Sequence, residues 1–158
     1  MYKRQDYGIG ILSKREPLRT VSGDLPGTEA RKFFLAEFDD YIFIATHLCH
    51  LETTNRAQSV EIINAYIAAN YASYTKPIFL AGDFNDTPSS YTYREMKGAL
   101  TDGFRRCGNG YGGTFRYLGG LLRIDYIFYD DTFECVRYYM PSETVSDHKV
   151  VIAELRFK

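Results

Sequence analysis

Pro77-Ile78-Phe79-Leu80-Ala81-Gly82-Asp83-Phe84-Asn85-Asp86-Thr87-Pro88 is the stretch on which the reading of this chain turns. An apolar, strand-sized run passes directly into a polar turn, so Pro77–Phe84 reads as a buried strand. Upstream, Tyr41–Leu48 reads as a second strand. Ile42, Ile44 and Thr46 share one of its faces, and Phe43, Ala45 and His47 share the other. Apolar side chains on both faces are the pattern of a central strand covered on two sides. Between the two strands, Asn55–Ser73 carries Val60, Ile63 and Ile67 at helical spacing, with Gln58, Glu61 and Asn64 offset toward solvent. Asn55 with Gln58 three residues on is an N-terminal capping signature, and Lys76-Pro77 stops the helix. Strand, helix, strand makes a βαβ unit, whose two strands run parallel.

Working outward, Asp39-Asp40 is a hairpin signal joining Lys32–Phe38 to Tyr41–Leu48. Tyr7–Ser13 reads as a further strand. A shorter helix is expected over Tyr91–Leu100, closed by the Asp102-Gly103 turn. From Gly113 onward come strands alone, over Gly113–Tyr117, Leu122–Tyr129, Phe133–Tyr139 and Lys149–Phe157. The class is therefore α+β, a two-sheet sandwich with outer helices, without internal repeat or low-complexity linker.

The composition agrees with a soluble globular chain. Of 158 residues, 45% are hydrophobic and 25% charged, which suits one domain with a real core. The net charge of −1 excludes the strongly basic chain of a bulk nucleic-acid coater, though a local phosphate site is compatible with it. No apolar run approaches the length that spans a bilayer. Cys49, Cys107 and Cys135 make neither a CxxC pair nor a complete disulfide set, and they read as free thiols. Nothing in the sequence assigns a compartment.

Four blocks carry candidate chemistry. Asp83 and Asn85 lie two apart, so on extended backbone they project from one side at the end of their strand. A carboxylate and an amide there suit a hard divalent cation and a phosphate oxygen, and Gly82 permits close approach of a neighbouring backbone. Ser146-Asp147-His148 sets a carboxylate beside an imidazole, a pairing that serves metal binding and proton transfer. Arg123 and Asp125 share one face of a strand otherwise built for burial, where charges need partners. Thr46-His47-Leu48 ends its strand on an imidazole. Alone, each block also fits a plain alternative: an Asx turn, a surface turn, a structural salt bridge, a hydrogen-bonded histidine. Those alternatives do not explain why three of the four sit at the ends of apolar strands.

Taken in order, Gly8-Ile-Gly-Ile-Leu-Ser13, Thr46-His47-Leu48, Gly82-Asp83-Phe84-Asn85, Arg123-Ile-Asp125-Tyr126 and Ser146-Asp147-His148 resemble the endonuclease/exonuclease/phosphatase superfamily, in its deoxyribonuclease- and sphingomyelinase-like branch. The resemblance spans nearly the whole chain. It implies an αββα sandwich and Mg²⁺-dependent (or Mn²⁺-dependent) hydrolysis of a phosphoester by water. Residue by residue, it implies that Asp83 orients or deprotonates the attacking water, and that Asn85 holds a phosphate oxygen or the metal. Asp147 would ligate the metal. His148 would contact the scissile phosphate, with Asp125 fixing its tautomer. His47 matches the histidine of that branch.

The family's domain opens with a strand bearing an Asn and a strand ending in a metal-binding Glu, and neither stands in this sequence. The resemblance therefore implies a single domain over residues 1–158 that is N-terminally incomplete. Such a portion should bind Mg²⁺ weakly, hydrolyse little alone, and self-associate through exposed sheet edges, which a sedimentation series checks. A binding or scaffold module of the same fold is the alternative to an enzyme. The substrate is left open among nucleic acid, a phospholipid head group and a small phosphoester. Arg94, Lys97, Arg105, Arg106, Arg116 and Arg123 fall between the two strongest motifs, either bordering a cleft or lying on solvated surface. Gly108–Gly113 with Tyr111 reads as a substrate loop or a simple turn.

Overall fold

In a computed structural model, residues 8–27, 31–71, 75–142 and 146–158 are described. The elements in chain order are β1 (Arg19–Asp24), β2 (Lys32–Glu37), β3 (Ile42–His47), α1 (Thr53–Tyr71), β4 (Ile78–Asp83), α2 (Tyr91–Lys97), β5 (Thr101–Asp102), α3 (Gly103–Cys107), α4 (Tyr117–Gly120), β6 (Asp125–Tyr129), β7 (Phe133–Tyr139) and β8 (Ile152–Phe157). The first six strands by position form one sheet in the order β1-β2-β3-β4-β6-β5, and β7 with β8 forms a second.

β3 is central, as its two apolar faces require. It pairs antiparallel with β2 through the Asp39-Asp40 hairpin, and parallel with β4 across the α1 crossover. Ile42, Ile44 and Leu80 face α1 and α2, where they meet Val60, Ile63, Tyr93 and Met96 in the main core. On the opposite face the Phe43 and Phe79 rings stack, and Phe79 meets Phe133 of β7 at 4.6 Å. The larger sheet thus has helices on one side and the β7–β8 pair on the other. This is the sandwich with outer helices that the strand pattern predicted.

Several boundaries differ from expectation for local reasons. Gly8–Ser13 forms no strand, and Tyr7 lies outside the described residues. The edge position belongs instead to Arg19–Asp24, paired along its full length with β2. That strand is mostly exposed, so its sequence lacks the apolar alternation that announces one. The long helix starts at Thr53, two residues before Asn55, whose amide donates to Glu52 from within the first turn. Its expected end, Ser73, lies outside the described residues. α2 stops at Gly98, where φ of +46° closes the helix before Leu100. Asp102, expected to be a turn, extends briefly as β5 and caps α3 by accepting from the Arg105 N–H at 3.2 Å. Gly113–Tyr117 contributes only bridges at Phe115, and the strand after it begins at Asp125.

The free-thiol reading fails for two of the three cysteines. Cys107 and Cys135 form a disulfide tying α3 to β7, with Cα atoms 6.2 Å apart, and Cys49 is buried and free. Spacing in sequence could not reveal this pair, because only packing α3 onto β7 brings the two residues together. Arg123 and Asp125 are not partners either. Arg123 donates to both oxygens of buried Asp102, at 3.1 and 2.8 Å. The alternation that aligned Arg123 with Asp125 does not apply, since Arg123 precedes the strand.

Candidate active site

Strand register builds the site. His47 lies opposite Asp83 in the β3–β4 pair, and Asp83 lies opposite Asp125 in the β4–β6 pair. Three polar residues thus form one row across three adjacent strands, at the end of the sheet face that carries Phe43, Ala45, Phe79 and Ala81. His148 reaches this row from the segment before β8. Its backbone bridges Phe115, while the Arg116 N–H donates to Asp147 O and the Lys149 N–H to Thr114 O, at 2.9 and 2.7 Å.

Asp83 is the hub. Its Oδ2 is 3.2 Å from His47 Nε2, 3.2 Å from the donating Asn85 amide and 4.0 Å from His148 Nε2. Its Oδ1 accepts the Asn85 backbone N–H at 2.8 Å. Asn85 converges on Asp83 by a different route from the extended alternation expected of it. It adopts φ of +49°, and this left-handed turn brings its amide back to Asp83 and to Leu48 O at 2.9 Å. A non-glycine residue held there marks a constrained loop.

Gly82 is required by the close approach of β3. It has φ of +148°, and a Cβ on it would lie 1.8 Å from the Thr46 carbonyl oxygen. The β3–β4 contact beside His47 and Asp83 is therefore backbone against backbone.

His148 and Asp125 form the second pair, with Nδ1 and Oδ2 2.9 Å apart. Burial raises the Asp125 pKa, and the Asp83 charge adds to that, against hydrogen bonds from Thr114 and His148. Burial pulls the His148 imidazole down. The Asp125 hydrogen bond and charge, with Asp83 and Asp147, outweigh it, so His148 sits above the ordinary histidine value. Asp125 engages Nδ1, which leaves Nε2 turned toward Asp83. Thr114 accepts the Ile124 and Asp125 N–H groups through Oγ1, each at 3.1 Å, and fixes the start of β6.

Among the described residues, Asp83, Asp125 and His148 form the group whose ligand atoms converge, all within 4.8 Å of one another. Two carboxylate oxygens with one imidazole fit a divalent cation. The structure thus brings together His47, Asp83, Asn85, Asp125 and His148. Asp147 is exposed, its Oδ1 bonded to Ser146 Oγ at 3.1 Å, and its carboxylate is not in the converging group. The residues that sequence reading passed over are supporting ones. Thr114, ten and eleven residues from its partners, and the Arg56 Nε to Asp86 Oδ2 bond, 3.2 Å long across thirty residues, are pairings that no local pattern announces.

The sequence model of the Endonuclease/Exonuclease/phosphatase family matches residues 1–148, and the chain belongs to that family. Its fold resembles the mannosyl-6-phosphatase of Bacteroides thetaiotaomicron, with a TM-score of 0.72, 21% identity, and coverage of 90% of this chain and 67% of that one. A family protein from Bacteroides vulgatus aligns with a TM-score of 0.74 at 23% identity, over 90% of this chain and 66% of that one. The human Nocturnin catalytic domain with bound sulfate aligns with a TM-score of 0.73 at 14% identity, over 90% and 60%. The chain thus spans about two thirds of the length of the two bacterial structures. No curated protein matches it.

Proposed function

We propose that this member of the family is a divalent-metal-dependent phosphoester hydrolase that works by in-line attack of water. One observation carries the reading: a register-built row, His47, Asp83 and Asp125, faced by a His148 that Asp125 holds through Nδ1 at 2.9 Å. Asp83 and Asp125 are the residues of the converging group that would hold the cation, with Asn85 and Asp147 as the further ligands implied by family resemblance, and His148 beside them keeps its Nε2–H for the phosphate. A bound Mg²⁺ or Mn²⁺ would neutralise charge on the phosphate and lower the pKa of water.

The chain's own groups supply the rest. Asp83 Oδ2, 3.2 Å from His47 Nε2, would orient a water and accept its proton. His148, with Nδ1 engaged by Asp125, presents Nε2–H toward the charge that develops on the phosphate. Asn85 sits in a turn fixed on both sides, its Nδ2 committed to Leu48 O and Asp83 Oδ2, which leaves Oδ1 as the atom that would ligate the cation. The substrate class stays at phosphoester. The likeness to a mannosyl-6-phosphatase puts a sugar phosphate on the panel beside a nucleic acid and a phospholipid head group. We read residues 1–158 as belonging to one domain, with sheet edges available for self-association.

The test is Mn²⁺ binding by electron paramagnetic resonance, run beside hydrolysis of bis-p-nitrophenyl phosphate with and without metal. The wild type should bind Mn²⁺, and Asp83→Asn and Asp125→Asn should lose it. Turnover by the 158-residue chain should be weak. His148→Ala should lower it by roughly 10²–10⁴-fold. Mn²⁺ binding that survives both substitutions would overturn the metal assignment. Binding without turnover on any phosphoester would favour the scaffold alternative.

A further inference from the structure

Helix α1 sends one charged residue inward. Arg56 is 9% exposed, and its guanidinium spans two loops. Nε donates to Asp86 Oδ2 at 3.2 Å, and Nη1 donates to Cys49 O at 3.1 Å and His50 O at 3.3 Å. Nη2 closes the set on Thr53 Oγ1 at 3.1 Å. Cys49 and His50 follow His47, and Asp86 follows Asn85. Arg56 therefore joins the loop behind one site residue to the loop behind another.

The joint is reinforced on both sides. Asn85 Nδ2 donates to Leu48 O, one residue before the carbonyl that Arg56 takes. Asp86 is itself held, its Oδ1 accepting the Thr87 N–H at 3.0 Å and its carbonyl accepting the Tyr126 hydroxyl at 2.8 Å. Residues 48–50 and 85–86 are thus bridged at consecutive positions, with the strained Asn85 turn enclosed between the bridges.

Stability alone gives no reason for this arrangement. A buried ion pair is often matched or bettered by apolar residues of similar volume. A guanidinium, however, presents a rigid planar fork that reaches a carboxylate and two carbonyls at once, and a lysine cannot. We propose that Arg56 is a positioning residue: it locks the two loops at the ends of β3 and β4 so that the Asn85 amide is held at the site. This rests on the hydrolase reading only for what Asn85 does there; the lock itself is a statement about geometry.

Amide hydrogen exchange on the labelled 158-residue chain tests it, with bis-p-nitrophenyl phosphate kinetics in Mn²⁺ alongside. Arg56→Ala should speed exchange at the Asn85 and Thr87 amides roughly ten- to a hundredfold, and Asp86→Ala should do so at the Asn85 amide, Thr87 being uninformative there because its N–H bonds Asp86 itself. The β3–β4 amides Thr46 and Leu80 should keep wild-type protection. Guanidinium added to the Arg56→Ala chain should slow loop exchange again, and Arg56→Lys should restore it only in part. The same variants should lower kcat while KM changes by less than about threefold, as expected when an interaction is made only in the transition state.

Acceleration spread evenly over β3, β4 and the loops would make Arg56 merely structural and overturn the proposal. So would unchanged loop exchange in both variants. If Arg56→Ala does not fold, Asp86→Ala decides, because it leaves Arg56 bonded to the carbonyls of Cys49 and His50. A wild type without turnover on any phosphoester would count against the hydrolase reading, and the exchange pattern would still judge the lock.

Discussion

Replacing Gly82 by alanine tests the architecture of the site at its narrowest point. The added Cβ would lie 1.8 Å from the Thr46 carbonyl oxygen and 2.9 Å from its carbon, while 3.0 Å is already below what real Cβ atoms show. Both atoms are backbone, so no side chain can swing aside. β3 and β4 must separate locally by an ångström or more, from a ladder whose spacing is about 4.8 Å. About two ladder hydrogen bonds are weakened, at about 1 kcal/mol each. The φ of +148° adds strain of about 1–3 kcal/mol for a side-chain-bearing residue. Together Gly82→Ala should cost about 3–5 kcal/mol, against a total stability of about 5–15 kcal/mol for a domain. Urea denaturation followed by circular dichroism should show the unfolding free energy falling by this amount, read as a lower midpoint with little change in slope. The displacement begins at Thr46, so it also moves His47 from its 3.2 Å contact with Asp83, and the His47 imidazole resonances should shift. A Gly82→Ala chain within 1 kcal/mol of wild type would refute the backbone-contact reasoning.

Two further outcomes follow from the charges and the disulfide. In metal-free buffer, the raised His148 pKa means the folded chain binds this proton more tightly than the unfolded one. That stabilisation is fully present below the ordinary value of 6.5 and is lost as pH rises through the folded value. Wild type should therefore lose stability relative to His148→Gln above pH 6.5, and parallel curves would contradict the assignment. Asp125, also raised, acts in the acid range with the same sign: its contribution is present below 3.8 and lost as pH climbs through its folded value. Reducing the Cys107–Cys135 bridge opens a loop of sequence separation 28, which should cost about 3–4 kcal/mol in chain entropy. Denaturation with and without dithiothreitol measures it, and a midpoint indifferent to reductant would rule the bridge out in solution.

How much of this was legible in the sequence depended on range. The βαβ unit from β3 to β4 could be read because each signal is local: two-sided apolar alternation, helical spacing at Val60 and Ile63, and a hairpin at Asp39-Asp40. β1 could not, since an exposed edge strand carries no alternation, and its identity comes from six pairings to β2. His47, Asp83, Asn85, Asp125 and His148 were legible because each sits in a short motif at a strand end, and the structure brings all five together. Their arrangement was not, because a row across three strands depends on register. Asn85 illustrates the limit: extended alternation predicts convergence with Asp83, and convergence occurs through a left-handed turn instead.

Charged residues show the same division more sharply. Arg123 and Asp125, adjacent by alternation, go to different partners, Asp102 and His148. Each pairing does a separate job. Asp102 gathers Arg123, the Tyr93 hydroxyl at 2.7 Å and the Arg105 N–H, fastening α2, α3 and the approach to β6 into one buried knot. Burial, with Asp102 beside it, raises the Tyr93 pKa and keeps that hydroxyl a donor. With Arg123 committed there, Asp125 is free of a permanent cation and pairs with a titratable imidazole. A carboxylate paired to arginine would be neutralised at every pH. Paired to His148 it shares a proton-binding partner whose own charge changes with pH. The buried Asp102 knot and the polar row of His47, Asp83 and Asp125 are thus two consequences of one placement, Arg123 lying just outside the strand that Asp125 begins.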